Sequence, residues 1–581
     1  MTARARVLAA LAVAALACGC STLPTSGTVH TRPDTQAGAG EAPYFAPPGP
    51  TAGNSREGVV RGFLLAMQAN PPSTAVAREF LSTPARNVWK PGNGTIVYDA
   101  SAVTPAGDVV EARLGGAHRL DPRGAWDVRP TPSTATIRFS MVRENGEWRI
   151  SNPPNVLAVP ASYFSSLFVP FDLYFFDHTG SVLVPTRVYL SRGQTTTNLV
   201  KGLLAGPPPN LADAVTSAVP PGTALDDLAV VVNGSGVAEV PLGPGVLTLS
   251  PAQLNRLSVQ LAWTLGQVPG VNRIRLVVDG ATVPLPDGQT DIRVGVDSSF
   301  DPVLMPDRSP VVVAGGRVVR IDGGEATPVG GPLGAKGFSL RSVALNARAH
   351  RLVAVSGNGR QVYLAPDQGA RTPSRVRDVL DGGADVLAPA FDRFGMLWLV
   401  DRTARGAVVR VVDSDGRVRA LPVPGITGRN VGAFTLTRDG TRLVATTAGP
   451  GTPTLLVSAI VRGTGGRVAR VLPADRVEVS GAEPGPVVDV GQVGATTVAL
   501  LTQPSRGPGR VSIAELDGSP GDPATSGPTL VPTEVEALGI GPLPELVPLV
   551  VTADHRLLRL GSSGRWDEIP LAAVTAVAYP Q

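Results

Sequence analysis

The sequence predicts a multidomain chain in which two α+β domains precede an all-β propeller. Three observations carry that reading. At 581 residues the length implies three or four domains. From Ser55 to about residue 300, apolar residues at helical spacing alternate with runs of period two. After about residue 305 helical periodicity largely ceases, and short apolar runs bounded by Gly, Asp and Pro return at roughly 45 to 55 residues, the interval of four-stranded propeller blades.

The N-terminus reads as an export signal. Arg4 and Arg6 form a short positive region, Val7 to Ala17 an unbroken apolar run, and small residues follow. The run of about eleven residues is well short of the roughly 20 that a spanning helix needs. The only two cysteines, Cys18 and Cys20, lie just beyond it. A metal pair or a disulfide would need further ligands or a partner at workable geometry, and C-x-C spacing offers neither. The stretch "ALACGCSTLPTSG" resembles a bacterial lipobox, in which a thiol at the end of the apolar run is alkylated with diacylglycerol and becomes the mature N-terminus. Gly19 before it and the polar "STLPTSG" after it favour Cys20 as the lipidated residue. Leu16 stands one place further from Cys20 than the pattern has it, which keeps Cys18 as the alternative. The expected order is a signal peptide at 1–19 and a flexible tether at 20–54, rich in Pro, Gly, Thr and Ala. Two or more acyl chains would hold such a chain stably at a membrane, where one binds only marginally. Everything after Cys20 is then expected on the extracytoplasmic face.

The first domain is expected over 55–158. Val59, Val60, Phe63, Leu64 and Met67 recur at helical spacing, with Ser55 as N-cap and Gly58 where an acidic N3 residue would complete a capping box. A second short helix carries Ala77, Phe80 and Leu81. The period then shortens through "DVVEARL" and "TIRFSMVRENGEWRI", where Asn145-Gly146 marks a hairpin. Helices followed by a curved antiparallel sheet are similar in outline to nuclear-transport-factor-2-like cones.

The second domain is expected over 160–300. "DLYFFD" and "VLVPTRVYL" read as strands, "TNLVKGLLAG" as an amphipathic helix, "LAVVVNGSGVAEVPL" as a hairpin turning at Asn233-Gly234, "AQLNRLSVQLAWTLGQV" as a long helix and "VNRIRLVVDG" as a closing strand. The ordered blocks "LLAGPP", "SAVPPGT", "VVVNGSGVAEVPL", "LAWTL" and "GVNRIRLVVDG" resemble the GerMN domain. Gly234-Ser235-Gly236 lies inside a hairpin and is no phosphate loop. The aromatic stretch "SYFSSLFVPFDLYFF", 162–176, is expected at the joint between the first two domains, or on a partner-binding face.

Over 305–581, "RLVAV", "MLWLV", "RLVAT", "TVALL" and "PLVV" mark successive blades, and the first four are followed by second runs, "GRQVYLA", "AVVRVV", "TLLVSAIV" and "RVSIAEL". Five or six blades fit, and a closed ring is preferred to a solenoid because closure protects edge strands. A lipobox, a helix-led α+β domain, a GerMN unit and a C-terminal propeller, in that order, resemble the LpqB lipoprotein family of actinobacteria.

Chemistry-bearing constellations are few. His30, His118, His178, His350 and His555 are isolated from one another, and no H-E-x-x-H, C-x-x-C or G-x-S-x-G occurs. The turns "DSDG" and "TRDG" lack the further acidic ligands of a calcium loop. Asp226-Asp227 reads as a polar loop edge, and Asn93 and Asn233 as Asn-Gly turns. The six tryptophans sit mostly in strand or helix patterns, which suggests core. A net charge of +4 without a basic cluster is no nucleic-acid footprint. The expectation is no enzyme, no cofactor, no metal and no nucleic acid. The LpqB resemblance implies a palmitate-type lipid anchor and an accessory role in a two-component system. In that role the chain contacts the extracytoplasmic sensor region of an MtrB-type histidine kinase and modulates cell-envelope and division responses. The alternative is an extracytoplasmic binding protein for a cell-wall fragment, polysaccharide or small molecule, held in the propeller channel or the GerMN groove.

Overall fold

The computed structural model describes residues 44–128, 134–286, 288–295, 299–303, 308–335, 337–368, 376–479, 481–521, 527–543 and 545–581. Cys18, Cys20, the signal and residues 20–43 of the tether lie outside the described residues. Phe45 to Gln581 form one unit, and the account that follows concerns that unit.

Helix Arg56–Ala66 begins where the Ser55 hydroxyl accepts the Gly58 N–H at 3.1 Å. It buries Val59, Val60, Phe63 and Leu64 together with Phe139, Leu114 and Ile150 of the neighbouring sheet. Phe80 ends the next helix, Ala75–Glu79, and its ring lies against Gly62. Ser82 then caps a further short helix, Thr83–Val88, which periodicity alone does not reveal. Strands 100–106, 109–115, 134–144 and 147–150 form an antiparallel sheet. Its last hairpin turns at Asn145 (φ 53°) and Gly146 (φ 83°), the left-handed pair a two-residue turn demands. The expected single antiparallel sheet needs correction. Thr95–Tyr98 pairs antiparallel with His118–Leu120 but parallel with Leu157–Pro160, in a second, three-stranded sheet. A parallel partner must return by a long connection, here the whole intervening sheet, and apolar alternation carries no strand direction.

In the second α+β module the long hairpin Phe168–Asp177 and Leu183–Ser191 packs beside a sheet whose central strands, Val237–Pro241 and Arg273–Val278, run parallel. Helix Pro251–Leu265 joins those two strands. Its Ser250–Gln253 capping box is complete, and it buries Leu257, Leu261 and Leu265 in the same core as Ile274 and Leu276. The Gly234-Ser235-Gly236 stretch is a hairpin loop, with the Asn233 carboxamide oxygen accepting the N–H groups of Ser235 and Val237.

From Val311 onward the described residues form six sheets of four or five strands. The innermost strands are Leu340–Asn346, Ala390–Phe391, Val431–Leu436, Val487–Gln492, Val535–Gly539 and Val574–Ala578, each packed on the next around a central channel. The last of these pairs with Val311–Ala314, so the C-terminal strand completes the first blade and closes the ring. Six blades result, and the apolar runs read from the sequence are the second strands of blades two to six and the third strands of blades two to five.

The aromatic stretch 162–176 lies at the joint of the two α+β modules. Phe164 packs at 5.8 Å from Trp126 and 5.3 Å from Tyr189, while the Tyr163 hydroxyl donates to the Ala69 carbonyl at 2.7 Å. Trp89, Trp126 and Trp398 are buried as expected. Trp148, Trp263 and Trp566 are half-buried instead, and the guanidinium groups of Arg56 and Arg143 lie 5.7 and 4.8 Å from the centre of the Trp148 ring.

Tyr189 also reaches the propeller, its hydroxyl 2.5 Å from that of Ser519. Beside it Arg187 bridges Asp172 at 2.8 Å and Glu515 at 3.2 Å, and Thr496 donates to the other Glu515 oxygen at 3.1 Å. Arg442, on the fourth blade, donates to the Pro185 carbonyl at 2.8 Å. Burial pushes the Glu515 carboxyl up to about 7 against the pull of Arg187, and burial raises Asp517 as well. The same interface has an exposed pair, Arg470 with Asp213. Exposed pairs contribute about 0–1 kcal/mol, whereas breaking a buried pair by removing one partner costs about 3–5 kcal/mol. The buried group is therefore the part of the docking most sensitive to the loss of one partner.

Two outcomes are expected. At Gly62 an added Cβ would lie 2.4 Å from Phe80 Cε1, and Phe80 is 1% exposed with nowhere to retreat. Gly62→Ala should therefore lower stability by about 1–2 kcal/mol in denaturant titration, because overpacking outweighs the ~1 kcal/mol gained in helix propensity. The raised Glu515 carboxyl binds its proton more tightly in the folded state than in the unfolded. Its destabilising contribution is thus absent below the usual glutamate range and grows as pH rises towards 7. Relative to Glu515→Gln, the unaltered chain should lose on the order of 1–3 kcal/mol between pH 4.5 and 7.5, measured by thermal unfolding at stepped pH.

Candidate functional site

In blades two to five the inner strand ends in a tight turn that leads outward into the second strand. In blades two, three and four these turns are "NARAHR", "DRFGM" and "TRDGT", and each places an arginine at one mouth of the channel: Arg348, Arg393 and Arg438. Together with Phe391, Phe394, Phe434, Ile540 and Tyr579 they line a cavity of about 360 Å³. The opposite side of the mouth is formed by Gln492 of blade five, Ile540 of blade six and residues 579–581, which follow the inner strand of blade one.

The turns are held rigidly. Asp392 accepts the N–H groups of Phe394 and Met396, both at 2.9 Å, through one oxygen. Its other oxygen accepts Trp398 Nε1 at 2.8 Å and Arg462 Nη2 at 2.7 Å. With side-chain exposures of 0% and 2%, this pair is fully buried and fully bonded, and the Arg462 guanidinium lies 4.4 Å from the centre of the Phe394 ring. Asp439 likewise bonds the hydroxyls of Thr437 and Thr441. The aspartates of these turns thus do the work of hairpins, as does Asp413, which accepts the Arg417 N–H.

Arg438 points across the mouth. It donates to the carbonyls of Gln492 at 2.5 Å and Gly541 at 2.8 Å, and its own N–H reaches Gln492 Oε1 at 2.6 Å. Burial pulls its guanidinium down to about 10. Arg393 donates to the Pro302 carbonyl at 3.1 Å, and burial and then the charge of Arg348 lower it too. Asp489, deeper on the cavity wall, accepts the N–H groups of Val490 and Leu538, both at 2.8 Å, and burial pushes it up to about 6.

The structure does not bring the described histidines together. His118 lies against Trp126 at 4.9 Å and burial lowers it. His178 is 2.6 Å from the Asp213 carbonyl. His350 and His555 occupy left-handed turn positions, with φ of 49° and 61°, and His350 Nδ1 stands 3.2 Å from Asp367. His30 lies outside the described residues. Among the described residues there is no group of three or more metal-ligating side chains. Asp226-Asp227 is a loop edge where Asp227 bonds the Leu228 N–H. Asn93 ends a short 3-10 turn before Gly94, a correction to its reading as a simple Asn-Gly turn. The arginines of the mouth escape sequence reading because each looks like an ordinary turn residue. Aligning the blades on their inner strands would have set Arg348, Arg393 and Arg438 almost in register.

No helix among the described residues is long and apolar enough to cross a membrane. Residues 49–165 match the family model described as "Lipoprotein LpqB, N-terminal domain", residues 172–284 that of "Sporulation and spore germination", and residues 316–580 that of "Lipoprotein LpqB beta-propeller domain". Lipoprotein LpqB of Cutibacterium acnes is 29% identical, with 99% of this chain and 98% of the relative covered. That of Thermobifida fusca is 28% identical over 88% and 90%, and that of Streptomyces coelicolor 25% over 99% and 98%. Among solved structures, TolB of Acinetobacter baumannii is 14% identical with a TM-score of 0.33, covering 58% of this chain and 87% of that one. The first GerMN domain of the Bacillus subtilis sporulation protein GerM is 19% identical with a TM-score of 0.19, covering 22% and 96%. Two of the three matched models are LpqB models, they fall on the first module and the propeller, and the named relatives align across nearly the whole chain: the chain belongs to the LpqB lipoprotein family.

Proposed function

We propose that this chain is a non-catalytic lipoprotein, exported by a signal peptide at 1–19, lipidated at Cys20, and held at the extracytoplasmic face of the cell membrane by the tether 20–54. There it binds the extracytoplasmic sensor region of an MtrB-type histidine kinase and modulates two-component signalling. The observation that supports this reading is the buried Asp172–Arg187–Glu515 junction. A partner-binding protein shifts a sensor only by binding one of its conformations better than another. A body whose domains are locked together cannot deform to fit both, so shape differences in the sensor become differences in affinity. Tethering both proteins to one membrane raises their effective concentration, and a weak interface then suffices. The isolated, structurally engaged histidines support the non-catalytic part of the reading.

A second reading, an extracytoplasmic binding protein for a small molecule or cell-wall fragment, is favoured by one observation, the cavity at the channel mouth.

Two measurements test the first reading. Intact mass of the mature protein from membranes should include acyl chains that Cys20→Ala removes and Cys18→Ala keeps. The full chain and a purified kinase sensor region placed in the same vesicles should cross-link; no association in shared membranes would contradict kinase binding.

A further inference from the structure

The channel mouth holds two guanidinium groups, those of Arg393 and Arg438, that no described carboxylate bonds. Among the described residues neither Arg393 nor Arg438 forms an ion pair with a carboxylate. Their donors go to the neutral carbonyls of Pro302, Gln492 and Gly541. The carboxylates around them make their hydrogen bonds elsewhere, while the charges of Asp439, Asp301 and Asp177 still act on Arg393 through space. Asp392 is saturated by Arg462, Trp398 and two backbone N–H groups. Asp439 is bonded through Oδ1 to two threonine hydroxyls, and its Oδ2, 3.6 Å from Arg442, accepts no hydrogen bond. Asp177 accepts the N–H groups of its own turn, and Asp301 that of Val303. Asp489 is bonded to Val490 and Leu538 on the wall behind.

Guanidinium groups withdrawn from water without a directly bonded counter-ion, as those of Arg393 and Arg438 are, are costly. Three arginines set side by side, from equivalent turns of consecutive blades, add mutual repulsion, which reaches Arg393 from Arg348. An anion entering the cavity relieves both costs. It is met by planar forks suited to two-oxygen acceptors, and by Phe391, Phe394 and Phe434 for an apolar body. At about 360 Å³ the cavity stands near the small end of ligand pockets, roughly 300–1,000 Å³. A neutral sugar would leave the guanidinium charge unanswered.

We propose that this mouth is a binding site for a small organic anion bearing carboxylate or phosphate groups, clamped between Arg393 and Arg438 with Arg348 adding positive charge at the rim. The proposal rests on the second reading above and names the ligand chemistry of that same cavity.

Isothermal titration of the full chain in detergent, with citrate, inorganic phosphate and a neutral disaccharide in turn, tests it. Citrate or phosphate should bind with an affinity that falls as salt rises, and Arg393→Gln should weaken it at least ten-fold. Arg438 also links blades four, five and six, so Arg438→Gln is read only alongside its melting temperature. Arg393→Gln breaks a single carbonyl contact and keeps the test decisive. Citrate alone binding assigns carboxylates, and phosphate alone assigns phosphates. Disaccharide binding that ignores both substitutions would overturn the anion proposal and leave the ligand-binding reading standing. No binding by any of the three probes, or anion binding equal in both variants, would also overturn it.

Discussion

Arg187 is the residue on which the arrangement of the domains turns. It projects from the hairpin of the GerMN module, is mostly buried, and divides its guanidinium between Asp172 on its own hairpin and Glu515 on the propeller. Burial opposes its charge, yet the two carboxylates hold it protonated above its ordinary range. A buried charge is tolerated only where its bonds are complete, and here completion requires both domains. The joint therefore selects one docking geometry. The Tyr189–Ser519 and Arg442–Pro185 bonds lie beside it and are made only in that geometry. Tyr189 carries the constraint further, since its ring packs on Phe164 and Trp126 of the first module. Three domains are thus keyed to one strand.

The propeller meets a different constraint. Its ring closes by pairing Val574–Ala578 with Val311–Ala314, which completes the first blade. Closure makes the inner strands converge, and whatever their turns carry converges as well. Three successive turns carry arginine. The stiff Asp392–Arg462–Trp398 cluster holds one of those turns in place, so the arginine next to it faces a cavity instead of sweeping through solvent.

Much of this fold was legible in the sequence because it follows from local pattern. Ser55, Asn145-Gly146, the periodicity of "AQLNRLSVQLAWTLGQV" and the apolar runs of the blades each act over a few residues, and each produced the element its pattern implies. The parallel pair of Thr95–Tyr98 with Leu157–Pro160 was not legible, since alternation is the same in either strand direction. Nor was the domain junction: Arg187 and Glu515 are 328 positions apart, and a charged residue in a strand reads as solvent-facing until its partner is known. Of the candidate site, Cys20 came from its signal context and lies outside the described residues. The arginines of the mouth were hidden because each resembles a surface turn residue, and only ring closure sets them side by side.

The claim that Arg187 locks the modules into one body is tested most directly by scanning calorimetry of the full chain and of Arg187→Met. The account predicts one cooperative transition for the unaltered chain and two separate transitions for the variant, in which Asp172 and Glu515 lose their shared cation. A variant that still melts in a single transition at an unchanged temperature would contradict it.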